Sequence, residues 1–228
     1  MSDKIRHELT LWWGRLPKIT NILRRIRLTS SLFVLMLVFS SVTQALGQGY
    51  WPFLVHRNGW DLTTIQLGRI YLAWTGLFFA TAPLNFYGVL LLLLLSVGVL
   101  EYRRGIREAA LGFLVIGPIA SIVTLMLLWP LSNAGVAYVR VALYTPDMGA
   151  STACFVCLGM LLVQEKGRWR NILLFGILSI LIGFVFQNTP YNIDHLNGYL
   201  VGLATGALLL IWKQRKQLFA AKHHPTKL

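Results

Sequence analysis

Hydrophobic positions along this chain fall in long blocks, with neither the strict alternation of a half-buried strand nor the narrow stripe of a surface helix. Six blocks stand out, at residues 29–46, 81–100, 109–131, 148–163, 171–186 and 195–212. Each is close to the roughly 18–20 apolar residues that carry a helix across a hydrocarbon core about 30 Å thick. Backbone N–H and C=O groups find no water in lipid, so each block is expected to be a helix. Residues 47–80 break the pattern: they are aromatic, interrupted by Gly49, Pro52 and Gly59, and carry Arg57, Asp61 and Arg69. This stretch reads as a long interfacial loop with short helices, its Trp51, Trp60 and Trp74 suited to the headgroup belt.

Composition agrees with the pattern. The 228 residues are 56% hydrophobic and only 13% Asp, Glu, Lys or Arg, against about 25% charged in an ordinary soluble domain. A soluble enzyme, a disordered tail and a disulfide-stapled miniprotein are excluded. A net charge of +13 would suggest nucleic acid in a soluble chain, but here it follows the membrane. Of 21 Lys and Arg, 18 fall in the first 28 residues, the 101–108 and 165–170 loops and the segment after Trp212, while Arg57, Arg69 and Arg140 remain for the other side. That asymmetry predicts both termini in the cytoplasm. The expectation is an all-α membrane protein with six transmembrane helices, N-in and C-in. It comprises a basic arm (1–28), a single membrane domain (29–212) and a basic tail (213–228). The first block is expected to be retained as a span and not removed as a signal peptide. No internal repeat supports a transporter built from inverted halves.

Ionisable residues inside spans are costly and mark function. His195 opens the sixth block, and a helix places it on one stripe with Gly198, Gly202 and Gly206. Glycines so spaced let a neighbouring helix approach closely, so the imidazole is expected to face protein. The fourth block is introduced by Thr145, Pro146 and Asp147, residues typical of helix starts. Its Ser151 then lies at a similar depth to His195, on the same side. A serine and a histidine brought together suffice for nucleophilic catalysis, the imidazole taking the hydroxyl proton and returning it to the leaving group. A helix-start N–H and an amide side chain would hold the oxyanion. Asp194, about 100° around the helix from His195, is expected to cap that helix. Cys154 and Cys157 lie in an apolar run without further zinc ligands and read as packing residues. Gly117-Pro118 is expected to kink the third helix.

At these residues the chain resembles the rhomboid family of intramembrane serine proteases. Gly149-Ala150-Ser151, with Gly159 eight residues past the serine, is similar to the family's fourth helix. His195-x-x-Gly198-x-x-x-Gly202 is similar to its sixth, and Leu100-Glu101 followed by Gly105 resembles its Leu-Glu-x-x-x-Gly turn. The resemblance spans roughly residues 66–206. It implies a six-helix rhomboid-like bundle in which Ser151 and His195 form a catalytic dyad and Asn85 and Gly149 support the oxyanion. It also implies that Phe155 sets the imidazole and that Gly159, Gly198, Gly202 and Gly206 pack the helices. No metal or cofactor is implied. The partner would be a membrane-anchored polypeptide substrate within the lipid bilayer of a prokaryotic plasma membrane, and nucleic acid is not expected.

Three positions depart from the family's pattern. Thr81 stands where the family carries a histidine before the asparagine, Thr152 replaces the glycine after the nucleophile, and Gly68-Arg69-Ile70 takes the place of a Trp-Arg motif. Thr152, being β-branched, is expected to crowd an approaching substrate. These departures point to a divergent member close to the sorting-type, rhombosortase-like branch. They also define the alternative: a rhomboid-like pseudoprotease that binds transmembrane helices without cutting them.

Overall fold

The computed structural model describes residues 19–42, 57–79, 83–165 and 191–223, with isolated positions between 167 and 178. The expected fifth span, 171–186, lies outside the described residues apart from those few positions, as does Trp51.

Among the described residues the chain is mostly helical and has no strand. In order, the helices are α1 (Ile19–Arg25), α2 (Arg27–Val42), α3 (Leu62–Gln66), α4 (Leu72–Thr75), α5 (Pro83–Leu93), α6 (Val99–Arg104), α7 (Ile106–Ala110), α8 (Gly117–Asn133), α9 (Ala137–Tyr144), α10 (Ser151–Val163) and α11 (Tyr191–His223). Among the described residues three continuous helical stretches are long and apolar enough to cross a membrane: Phe86–Arg104, Ile106–Asn133 and Ile193–Phe219. Arg27–Ser41 and Ser151–Val163 are shorter apolar helices. Large apolar side chains such as Tyr87, Leu91, Leu95, Met126, Leu127, Leu200 and Leu208 point outward, which suits a lipid surround and no aqueous one.

Two of the long stretches contain a wide π-helical turn, at Leu94–Gly98 and Leu111–Ile116. The second sits where Gly117-Pro118 was expected to kink the chain. Proline has no N–H to give the carbonyl four residues back, which here is Leu114. The Trp74 indole N–H donates to that carbonyl at 2.8 Å, so the group freed by Pro118 is satisfied from the loop.

α10 is the hub. From Thr152 to Leu162 every residue except Phe155 is buried, packed among Phe86, Leu93, Val97, Leu100 and Phe113. Cys154 and Cys157 are free thiols within this apolar core. At the far end of α10 the basic and acidic loop residues meet. Arg103 pairs with Glu165 at 2.5 Å, Arg104 donates to the Gln164 carbonyl at 2.7 Å, and Lys213 pairs with Glu108. The start of α2 is held at the same end, where Glu101 accepts from Leu28 N–H and from the Thr29 N–H and hydroxyl, each at 2.8 Å.

Two expectations change here. Trp60 does not face outward, as a residue on the lipid-facing surface would. It is buried with Leu62, Leu72, Leu125 and Leu143, because its backbone pairs both ways with Asp147, at 3.0 and 2.9 Å. The apolar block ending at Trp212 is only part of a helix that continues to His223. Hydropathy marks where lipid ends, whereas Lys213-Gln214-Arg215-Lys216-Gln217 holds good helix formers and no breaker.

Candidate active site

α10 begins later than Thr145-Pro146-Asp147 suggested. Residues 145–150 form a loop in which Gly149 has φ +122°, a conformation outside any right-handed helix and open chiefly to glycine. The Gly149 N–H donates to the Gly76 carbonyl at 3.1 Å, tying this loop to the segment after α4. Ser151 is therefore the first residue of the helix. The first helical hydrogen bond runs from Cys154 N–H to the Ala150 carbonyl, at 2.9 Å, so the N–H groups of Ser151, Thr152 and Ala153 lie ahead of the ladder.

α11 packs against α10 with unusual closeness, and the glycines are the reason. A Cβ on Gly198 would lie 2.8 Å from the Thr152 side chain, one on Gly206 would lie 2.9 Å from Met160 Cα, and one on Gly202 would overlap the Val156 backbone. From the other side, a Cβ on Gly159 would lie 2.5 Å from the Tyr199 carbonyl. The contacts advance by four residues on both helices, from 152/198 to 156/202 to 160/206, so the two helices run in the same direction. This is the ridge-in-groove packing that glycine stripes permit in membranes.

Because the helices are parallel and start near the same level, their opening polar residues meet. The Ser151 Oγ lies 2.7 Å from His195 Nε2, so with Nε2 as acceptor the serine hydroxyl donates to it. The Phe155 ring, one turn below the serine, stacks on the imidazole with centroids 5.0 Å apart and planes at 28°. Ser151, Phe155 and His195 are each partly buried. The expected residues Ser151, His195 and Phe155 thus meet at the head of the α10–α11 pair, and the expected glycines Gly159, Gly198, Gly202 and Gly206 lie along the contact between the two helices. Gly149 lies in the loop two residues before the serine. Asn85 falls within α5, but its side chain lies outside the described residues.

Asp194 does not cap α11. It is buried, and its carboxylate accepts from Thr152 Oγ1 at 2.5 Å, Thr124 Oγ1 at 2.6 Å and Ser121 Oγ at 3.0 Å. Asn197 extends the cluster, donating to Thr124 Oγ1 and the Ala120 carbonyl, both at 2.9 Å. Thr152 is likewise buried and turned into the helix interface: its hydroxyl is on Asp194 and its methyl faces Gly198. Asp147 lines a cavity of about 30 Å³ with Asp194, Ser121 and Thr124. Burial in the first place, then the charge of Asp194, raises the Asp147 carboxyl from 3.8 to about 7, although the Met148 N–H bond opposes the shift. Ser121 and Thr124 were not anticipated, since hydroxyls on an apolar helix ordinarily bond back to their own backbone. Among the described residues no cluster of three or more His, Cys, Asp or Glu is placed to hold a metal.

No protein-family model matches the chain, and no curated protein sequence matches it.

Proposed function

We propose that this protein is a rhomboid-like intramembrane serine endopeptidase that cuts membrane-anchored polypeptides near the outer face of the membrane. The observation that carries the reading is the 2.7 Å contact between Ser151 Oγ and His195 Nε2, made between two parallel helices joined by glycines. A hydroxyl is a weak nucleophile at neutral pH and needs an adjacent base. His195 takes the Ser151 proton as Oγ attacks the scissile carbonyl, and the tetrahedral intermediate's negative charge develops next to the Ser151 N–H. That N–H, first in α10 and free of the helical ladder, suits an oxyanion, and Asn85 is the candidate second donor. The imidazolium then gives its proton to the leaving amine. Water, or another amine, resolves the acyl-enzyme. Phe155 holds the ring in plane through both proton transfers.

The same reading includes six spans with both termini in the cytoplasm of a prokaryotic cell. It is supported by the gathering of Arg103, Arg104, Glu108, Glu165 and Lys213 at the end of the bundle opposite Ser151. It is also supported by the parallel course of α10 and α11. The test needs no substrate: a fluorophosphonate probe applied to native membranes reacts with a serine that a base has activated. Wild type is expected to label, and Ser151→Ala and His195→Ala to lose labelling. A folded wild type that does not label would favour the helix-binding pseudoprotease instead.

A further inference from the structure

Two consecutive residues of α11 grip two consecutive residues of α10. His195 meets Ser151 at 2.7 Å, and Asp194 meets Thr152 at 2.5 Å. Neighbouring residues on a helix point about 100° apart. Two such contacts side by side therefore restrict rotation of each helix about its own axis as well as sliding between them, whereas a single contact restrains rotation far less. The Asp194 carboxylate does more than bridge the pair. Through Thr124 and Ser121 it also anchors both helices to α8, and Asn197, one turn further along, repeats the anchorage. All three hydroxyls serve as donors to the two oxygens of this one carboxylate. The glycine stripe cannot supply this restraint. It sets how near the helices come, but glycine offers no group to resist a twist.

We infer that Asp194 is a positioning residue for the dyad, its hydrogen bond to Thr152 and its anchorage to Ser121 and Thr124 holding Ser151 Oγ on His195 Nε2. The inference rests on the protease reading above. It also gives Thr152 a purpose: the side chain that replaces glycine after the nucleophile is the partner Asp194 needs. Displacement of a reacting atom by about 1 Å costs roughly a hundredfold in rate, so loosening this contact is expected to slow Ser151 without removing it.

The experiment follows fluorophosphonate labelling with time, in membranes containing the full chain, for wild type, Asp194→Asn, Thr152→Val and Thr152→Ser. Two quantities are read: the rate constant and the fraction finally labelled. Asp194→Asn and Thr152→Val are expected to lower the rate constant about ten- to a hundredfold while the final fraction stays near that of wild type. Thr152→Ser, which keeps the hydroxyl, is expected to stay within about threefold of wild type on the same argument. A merely structural residue would lower the final fraction and leave the rate constant of the surviving molecules unchanged, and that result would overturn the inference. So would wild-type kinetics in Thr152→Val. A wild type that never labels would overturn the protease reading and this inference together, there being no activated serine to position.

Discussion

Gly202 lies against Val156 so closely that a single added carbon would occupy the space of the Val156 backbone. No side chain can turn aside to make room, since the obstruction is main chain. Gly202→Ala therefore has to push α11 away from α10, and overpacking of this kind costs about 1–3 kcal/mol or more. The dyad feels the same displacement, because Ser151 and His195 sit at the opening of this helix pair. We expect Gly202→Ala to lower the thermal unfolding temperature in detergent and to slow probe labelling at least tenfold or so. Gly88, exposed on α5 with nothing within 4 Å of a Cβ, is the control. There alanine is expected to be neutral or slightly stabilising. Equal effects at the two positions would dismiss the close-packing argument.

Glu101 holds the beginning of α2 from the end of α6. Its carboxylate, 2% exposed, accepts three hydrogen bonds from Leu28 and Thr29, and a helix start is where negative charge is favourable. Glu101→Ala leaves the buried Thr29 N–H and the half-buried Leu28 N–H without this acceptor. The expected loss is about 2–3 kcal/mol, or several degrees in unfolding temperature at about 2–4 °C per kcal/mol. Glu101 lies at the opposite end of the bundle from Ser151, so the labelling rate constant of the folded fraction is expected to be unchanged. A slowed rate constant would show the two ends to be coupled.

The pairing of Ser151 with His195 was legible in the sequence because the chain is so apolar. Against that background Ser151 and His195 stood out, and the spacing of Gly198, Gly202 and Gly206 stated which face of the helix meets its neighbour. The cluster around Asp194 was not legible. Ser121 and Thr124 are separated from Asp194 by some seventy positions (|i−j| of 73 and 70), and nothing local marks them as donors to a distant carboxylate. Asp194 looked like a cap because capping needs only its own helix, whereas the observed bonds need two others. The burial of Trp60 and the use of Trp74 to satisfy the Leu114 carbonyl depend likewise on how the loop folds back. The exact start of α10 followed from the Gly149 conformation, which composition does not reveal.

Phe155 stacks on the His195 ring, and the two share one side of the helix interface with the packing glycines. A stacked pair contributes about 0.5–1.5 kcal/mol beyond burial. Its more specific consequence is that the imidazole cannot rotate freely away from Ser151. Phe155→Leu keeps most of the volume but removes the flat surface. We expect little change in unfolding temperature and a labelling rate constant reduced about three- to tenfold, commensurate with that stacking energy. Phe155→Tyr, which keeps the ring, is expected to restore most of it. If leucine labels as fast as phenylalanine, the ring merely fills space.

Asp147 gives the fold a dependence on pH in the neutral range. Its carboxyl, ordinarily near 3.8, is raised to about 7 chiefly by burial and then by the neighbouring charge of Asp194. The folded chain therefore holds this proton more tightly than the unfolded chain does. The stability that follows is fully present below about 3.8, declines as pH rises, and is lost once pH passes about 7. Asparagine imitates the protonated form at every pH and keeps an oxygen for the Met148 N–H. Asp147→Asn is thus expected to unfold at nearly the wild-type temperature near pH 4. Its advantage over wild type should widen between pH 5 and 7 and stay level at pH 8. Thermal unfolding of both proteins in the same detergent across that range measures the difference directly, and a constant gap would mean that Asp147 ionises in the folded chain as it does in the unfolded one.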